Sequence, residues 1–317
     1  MSNKQKTKTG TIGMVDIPRL ILLTGFAGRE RANILEHFVA CQAEVNRFVV
    51  LIQTDPKLNG IIPKQINHDY VITEIEETYM KCCLTGDLRK TVNEIIHLYQ
   101  SDFIILENLR HEDPTELLAS VSELDDLIKF DSLTTIIDCL MAEKHLELDT
   151  IAQAQVKAAD VLLLNIKDLL NEIRMQHLVQ LIREFNANAP MISMHNCEFD
   201  PMLIYGVNLL KYQESETCSG NWNGESNSQY DICDQLSVFM QNVTKNISRD
   251  GFISLVDAQQ KDIFRIEGIM EFSNDTCPVR MQYVGGRYIF HKYPDPYLKD
   301  RFLVFVGKNM TDLALPL

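Results

Sequence analysis

From residue 19 to about residue 194, short β-branched or leucine-rich runs alternate with longer stretches whose apolar positions recur at helical spacing. A parallel sheet covered by helices reads this way. Six runs predict strands, at 19–23, 48–52, 102–106, 133–137, 161–164 and 191–193. Each is apolar at consecutive positions, as a central strand buried on both faces must be. Between them, 86–99 places Leu88, Val92, Ile95, Ile96 and Tyr99 on one helical stripe, and 170–185 does the same with Ile173, Leu178, Leu181 and Ile182. Residues 213–227 are rich in Ser, Asn, Gly and Glu and read as an exposed linker. From about residue 251 the period falls to two. Phe264, Ile266, Gly268, Met270 and Phe272 share one side of a strand, Gly285-Gly286 makes a turn, and 302–306 completes a small sheet. The chain thus divides into an N-terminal arm (1–17), an α/β domain (18–200), a linker and helical connection (201–250) and a small α+β domain (251–317).

A length of 317 residues suits two domains, and 45% hydrophobic with 23% charged residues is a globular composition. No apolar run approaches the roughly 18 residues that span a bilayer, so no membrane role is expected. A net charge of −14 repels a phosphate backbone, which argues against nucleic acid as a partner. The arm is polar and lysine-containing without the apolar stretch of a secretory signal, so it reads as a disordered segment on a cytoplasmic protein. The eight cysteines are then expected as thiols, and none has the paired CxxC spacing of a structural zinc site.

The first strand runs into Thr24-Gly25-Phe26-Ala27-Gly28-Arg29-Glu30-Arg31-Ala32-Asn33, followed by a helix carrying Ile34, Leu35 and Phe38. This is the setting of a phosphate-binding loop, GxxxxGK(S/T), whose glycines let backbone amides wrap phosphates, whose lysine neutralises them and whose hydroxyl holds magnesium. Gly25 and Gly28 remain. Glu30 replaces the second glycine, Arg31 the lysine, and Ala32 offers magnesium no oxygen. Taken alone, the loop reads as an ordinary strand-to-helix turn.

Further segments change that reading. LLTGFAG at 22–28 is similar to TGFLGAGKT, CCLTGDL at 82–88 to CxCC…DL, and ILENLRHEDP at 105–114 to IETTGLADP. TTIIDC at 134–139 is similar to VTVVDA, ADVLLLNIKDL at 159–169 to ADRILLNKTDL, and FLVFVGKN at 302–309 to LVFIGRN. In shared order and spacing, these make the chain resemble the CobW-like branch of P-loop GTPases, relatives of CobW, HypB and UreG that serve as metal-insertion and cobalamin- or zinc-related chaperones. The resemblance implies a P-loop NTPase-type, mostly parallel sheet with flanking helices, and a C-terminal α+β domain of CobW type. It also implies GTP or GDP as ligand, zinc or cobalt as the metal handled, and a client metalloprotein or paralogous GTPase as partner.

Against the family pattern, the base-recognition motif NKxD is Asn165-Ile166-Lys167-Asp168 here, with Asn165 and Asp168 in place and Lys167 one position late. The same Asn and Asp are equally suited to cap the following helix. Glu107 is kept, but Arg110 replaces the glycine that approaches a γ-phosphate. Gln53-Thr54-Asp55-Pro56 lacks the usual glutamate near magnesium, where Asp55 is the available substitute. These departures count against magnesium and against GTP turnover, the activity an enzyme of this type would have. Met80, Cys82 and Cys83 stand where the family's thiolate loop binds a soft transition metal. Ordinary small residues at a helix entrance are the alternative for the two cysteines. His195 with Cys197, and Trp222 in the linker, are weaker candidates for a metal and a partner contact. Two functions are expected first, a CobW-like factor in metal or metallocofactor delivery with hydrolysis lost or very slow, or a pseudo-GTPase interaction module that binds neither nucleotide nor metal; a third, a working GTPase using Arg31 and an unorthodox magnesium site, needs several replacements to be compensated together.

Overall fold

In the computed structural model the described residues are 17–25, 33–35, 37, 48–54, 70–76, 84–107, 113–166, 171–195, 199, 202–205, 236–244, 247–273, 275–293 and 301–308. Seven strands form a parallel sheet: β1 (Arg19–Gly25), β2 (Phe48–Thr54), β3 (Tyr70–Glu76), β4 (Phe103–Glu107), β5 (Lys129–Asp138), β6 (Val161–Ile166) and β7 (Met191–His195). Their order is β3-β2-β4-β1-β5-β6-β7, with every neighbouring pair parallel. All six strands expected from the apolar runs are present, with shifted ends. β3 is an addition at the sheet edge, and its sequence YVITEIE lacks the unbroken apolar run of a central strand.

Alternate residues of each central strand serve opposite faces. Leu20, Leu22, Ile104, Leu106, Leu133, Ile137, Leu162 and Leu164 pack under a helical layer made of α1 (Leu84–Tyr99), α2 (Pro114–Ser122), α3 (Ala142–Leu148), α4 (Thr150–Ala158) and α5 (Glu172–Phe185). Side-chain caps start three of these helices: Asp113 accepts from the Thr115 amide at 2.9 Å, Asp149 from Ile151 at 2.9 Å and Asn171 from Arg174 at 2.9 Å. The expected stripes face the core except at one end residue of each helix. On α1, Leu88, Val92 and Ile95 are buried but Tyr99 is 39% exposed, since the helix ends as it leaves the sheet. On α5 the core is reached by Met175, Leu178 and Ile182, whereas Ile173, in the first turn, is 78% exposed. After β7 comes the single turn α6 (Met202–Tyr205), whose Ile204 is buried on the opposite face of the sheet.

The second sheet is antiparallel in the order β11-β10-β9-β12-β8, with β8 (Leu236–Asn242), β9 (Ile263–Met270), β10 (Val279–Val284), β11 (Arg287–Lys292) and β12 (Phe302–Lys308). The expected hairpin turn is there: Gly285 and Gly286 hold φ of +53° and +88°, which two-residue turns demand. Its edge strand β8 comes from the stretch read as linker. Residues 249–257, at the expected onset of period two, form instead a helix, α7 (Arg249–Asp257), capped by Ser248. Phe264 does not share a face with Ile266 and Met270, because β9 bulges there: Val306 pairs with Arg265 and the next residue, Gly307, with Ile263. The bulge sends Phe264 toward the parallel sheet.

One face of this sheet carries α7 through Phe252 and Val256. The other packs on the parallel sheet: Phe264, Val284 and Val306 meet Ile21, Leu23, Ile105, Ile136, Val161 and Leu163 in a single apolar layer. Among the described residues no helix is long and apolar enough to cross a membrane.

Candidate functional site

The chain leaves β1 toward the β3 edge and leaves β5 toward the β7 edge. The crevice at the carboxyl ends of these adjacent strands is where a doubly wound sheet takes its ligands. β1 ends there in Gly25, with φ +124°. A Cβ on Gly25 would overlap the Ile136 carbonyl oxygen of β5, so only glycine lets the chain turn out of the sheet at this point. Past the turn, residues 33–35 are helical, with Asn33 exposed and Ile34 and Leu35 buried in the layer shared by the two sheets.

On either side of this exit stand two polar residues from the expected set. Glu107 is the last residue of β4, in register with Leu23 and largely buried. Asn165 on β6 is buried and in register with Asp138, and its carbonyl accepts the Cys139 amide at 3.3 Å. By strand alternation both belong to the face where residues 33–35 pack. Asp138 accepts the Leu140 amide at 3.0 Å, a turn that shapes the exit of β5.

Asn165 does not cap the next helix, because Asn171 has that role. Ile166, standing where the family's lysine belongs, is 4% exposed and packs in the helix-side core with Leu162 and Leu164. His37 joins the site's surroundings without any mark in the sequence. Its Nε2 lies 2.7 Å from the Phe199 carbonyl oxygen and 3.2 Å from the Phe199 amide nitrogen, joining the helix after the loop to the segment after β7. A histidine one turn past a phosphate-loop position gives no signal without its partner 162 residues away.

Gly28, Glu30, Arg31, Ala32, Asp55, Arg110, Lys167 and Asp168 lie outside the described residues. So do Met80, Cys82, Cys83, Cys197, Trp222 and the 213–227 stretch; of His195 only the backbone, at the end of β7, is described. Among the described residues, no group of three or more His, Cys, Asp or Glu side chains is placed to hold a metal ion.

The family model for the CobW/HypB/UreG nucleotide-binding domain matches residues 19–193, and that for the cobalamin synthesis protein cobW C-terminal domain matches 236–315. The chain is 23% identical over 207 residues to the zinc chaperone YjiA of Escherichia coli (strain K12), covering 61% of this chain and 63% of that protein. It is 21% identical over 261 residues to the zinc-regulated GTPase metalloprotein activator 1 of Dictyostelium discoideum, covering 69% of this chain and 54% of that protein. The chain thus spans less than two thirds of the length of these curated relatives. Among solved structures, Zn(II)-bound YjiA GTPase from E. coli aligns over 92% of this chain and 94% of its own, at 18% identity and a TM-score of 0.46.

Proposed function

Because the chain belongs to the CobW/HypB/UreG family of nucleotide-binding proteins, we propose that it assists delivery of a metal ion or metallocofactor to a client protein, with nucleotide hydrolysis lost or very slow. The observation that carries the reading is a retained frame with an altered position inside it. Gly25, Glu107 and Asn165 stand at the carboxyl ends of β1, its neighbour β4 and, one strand beyond β5, β6, while Ile166 fills the core where the family's lysine packs over the nucleotide. A side chain committed to the apolar layer has no reach to a base, so guanine recognition rests on Asn165 and Asp168.

The residues present suit a phosphate only in part and suit magnesium poorly. The left-handed turn at Gly25 supports the former. Glu30, with a side chain and a negative charge in place of a glycine, counts against the phosphate, and Ala32, without an oxygen, counts against magnesium. Met80, Cys82 and Cys83 supply the soft donors for zinc or cobalt as cargo.

Thermal-shift titration with GTP, GDP and ATP, each with and without Mg²⁺, tests the nucleotide half, since a ligand that binds only the folded state raises Tm. The expected result is a guanine-specific rise that magnesium does not enlarge, without phosphate release above a no-protein control. Zinc titration of the native chain against a Cys82→Ser, Cys83→Ser variant tests the metal half, with weaker binding expected in the variant. No response to nucleotide or metal in folded protein favours an interaction module that partners a client enzyme or a paralogous GTPase. That second reading is supported by departures at several independent points of the loop.

A further inference from the structure

Four charged side chains, two from each sheet, close a ring at the plane where the sheets meet. Arg19 opens β1 and Asp131 lies near the start of β5; Arg265 and Glu267 are on β9. All four are buried, Arg265 completely. The Arg265 guanidinium grips Asp131 with two prongs, Nη1 to Oδ1 at 3.1 Å and Nη2 to Oδ2 at 2.6 Å, and Nη1 also donates to Glu267 Oε1 at 2.7 Å. Arg19 closes the circuit, with Nη1 donating to Glu267 Oε1 at 2.7 Å and Nε 3.3 Å from Asp131 Oδ1. Arg265 donates further to the Ile204 carbonyl and Gln282 of β10 to Asp131. At the rim, exposed Arg287 of β11 forks onto buried Asp160, which precedes β6, with both bonds at 2.7 Å. Asp160 also accepts the Leu133 amide at 2.8 Å, and the turn at Gly285 sits so close that a Cβ there would lie 2.7 Å from Asp160 Oδ1.

Each sheet brings one positive and one negative charge to the ring, and docking sets them in alternation. A buried ion that loses its partner keeps its desolvation cost without the attraction that offset it, so such a ring is stable closed and strongly disfavours partial opening. It also fixes register. Arg265 and Glu267 reach the parallel sheet because they lie two apart on a strand just past the bulge at Phe264, and a slip by one residue would set Ile266 against Asp131.

We infer that this ring is a docking lock: it makes the two sheets one cooperative unit, so the second sheet is a fixed wall of the body that carries the candidate site and does not swing away in the working protein. The lock sits at the amino ends of β1, β5 and β6, and the candidate site at the carboxyl ends of the same strands. Whatever moves when a ligand binds is then found in the loops at the carboxyl ends and not at the sheet-to-sheet contact. The lock acts in the same way whichever nucleotide or metal the site takes.

Native-state hydrogen exchange on the unmodified full chain, with amides of β5 and β9 followed through increasing sub-denaturing urea, decides between a fixed and a swinging second sheet. Both strands are expected to exchange through one common opening, and calorimetry to show a single transition whose calorimetric and van't Hoff enthalpies agree. Exchange of β9 through a lower-energy opening that leaves β5 protected, or two resolved transitions, overturns the lock. Two variants add a second reading. Asp131→Asn should lower Tm far more than the rim change Arg287→Gln and separate the exchange of the two strands, whereas equal Tm for Asp131→Asn and the native chain refutes the ring's role. If Asp131→Asn does not fold, Glu267→Gln takes its place, and exchange in the unmodified chain still supports or overturns the lock without any variant.

Discussion

Replacing Gly25 by alanine places a methyl group against a carbonyl oxygen of the neighbouring strand and forces a left-handed φ on a residue with a Cβ. Steric overpacking and backbone strain each cost about 1–3 kcal/mol, so Gly25→Ala should lose about 3 kcal/mol or more of stability by urea unfolding. The loss is expected with or without nucleotide, since this glycine serves the β1–β5 contact before it serves any ligand. Asp131 offers a second test at this scale. Burial alone would push its carboxyl up, but the Arg265 and Arg19 guanidinium groups outweigh it and hold the carboxyl down to about 2. A carboxyl whose folded value is depressed stabilises the fold wherever it is ionised. The contribution is whole above about pH 4, the unfolded range, and is lost as pH falls toward about 2. Unfolding free energies from urea titrations across that window should drop by on the order of 2 kcal/mol in the native chain, and by visibly less in Asp131→Asn. The circumstance of Asp131 was not legible in the sequence. Asp131 and Arg265 are 134 positions apart and look like surface charges; the available clue was an Arg-Ile-Glu triplet inside an otherwise apolar strand.

At the scale of elements, the sequence pattern located the central strands because burial on both faces writes an unbroken apolar run. It missed β3 and β8, sheet-edge strands among the described residues, because YVITEIE and LSVFMQN mix polar with apolar positions and lack the unbroken run. Helical phase was legible except at the helix ends, Tyr99 and Ile173. α5 turns Leu178 to the core and Ile173 to solvent, which 3.6-residue spacing alone could not settle for a first-turn residue that precedes most of the packing. Leu178→Ala should cost about 2–5 kcal/mol and Ile173→Gln should stay within about 0.5 kcal/mol, compared as urea midpoints of the two variants. The bulge at Phe264 is the same lesson in a strand: one extra residue reverses the face of everything before it, and nothing in the local sequence announces it.

The whole molecule depends on both sheets. The face of the parallel sheet that carries Ile21, Leu23, Val161 and Leu163 is sealed by strands that come after residue 236, and so is the charge of Asp131. A chain ended at residue 235 should therefore bind an apolar dye and aggregate, while a nuclear magnetic resonance spectrum with the dispersion of a packed fold would contradict this dependence. Fold and family were legible from ordered motifs, because strand ends and their loops keep sequence order however much the residues change. Of the residues expected at the site, Gly25, Asn33, Glu107 and Asn165 fall among the described ones, at or just past the carboxyl ends of β1, β4 and β6; the remaining expected residues lie outside them, and His37 had no signal of its own.

The ring of charges also has a meaning in time. Asp131 leaves the ribosome 134 residues before the arginine that completes its environment. At about 5–20 residues per second, that interval is roughly 7–27 s. During it the last strands of the first sheet emerge, while an apolar face and the carboxylate near the start of β5 wait for the strands that begin at residue 236. Newborn copies are thus most exposed to aggregation within this interval, and a slow stretch of translation between residues 200 and 265 would lengthen the risk, whereas one before residue 130 would not.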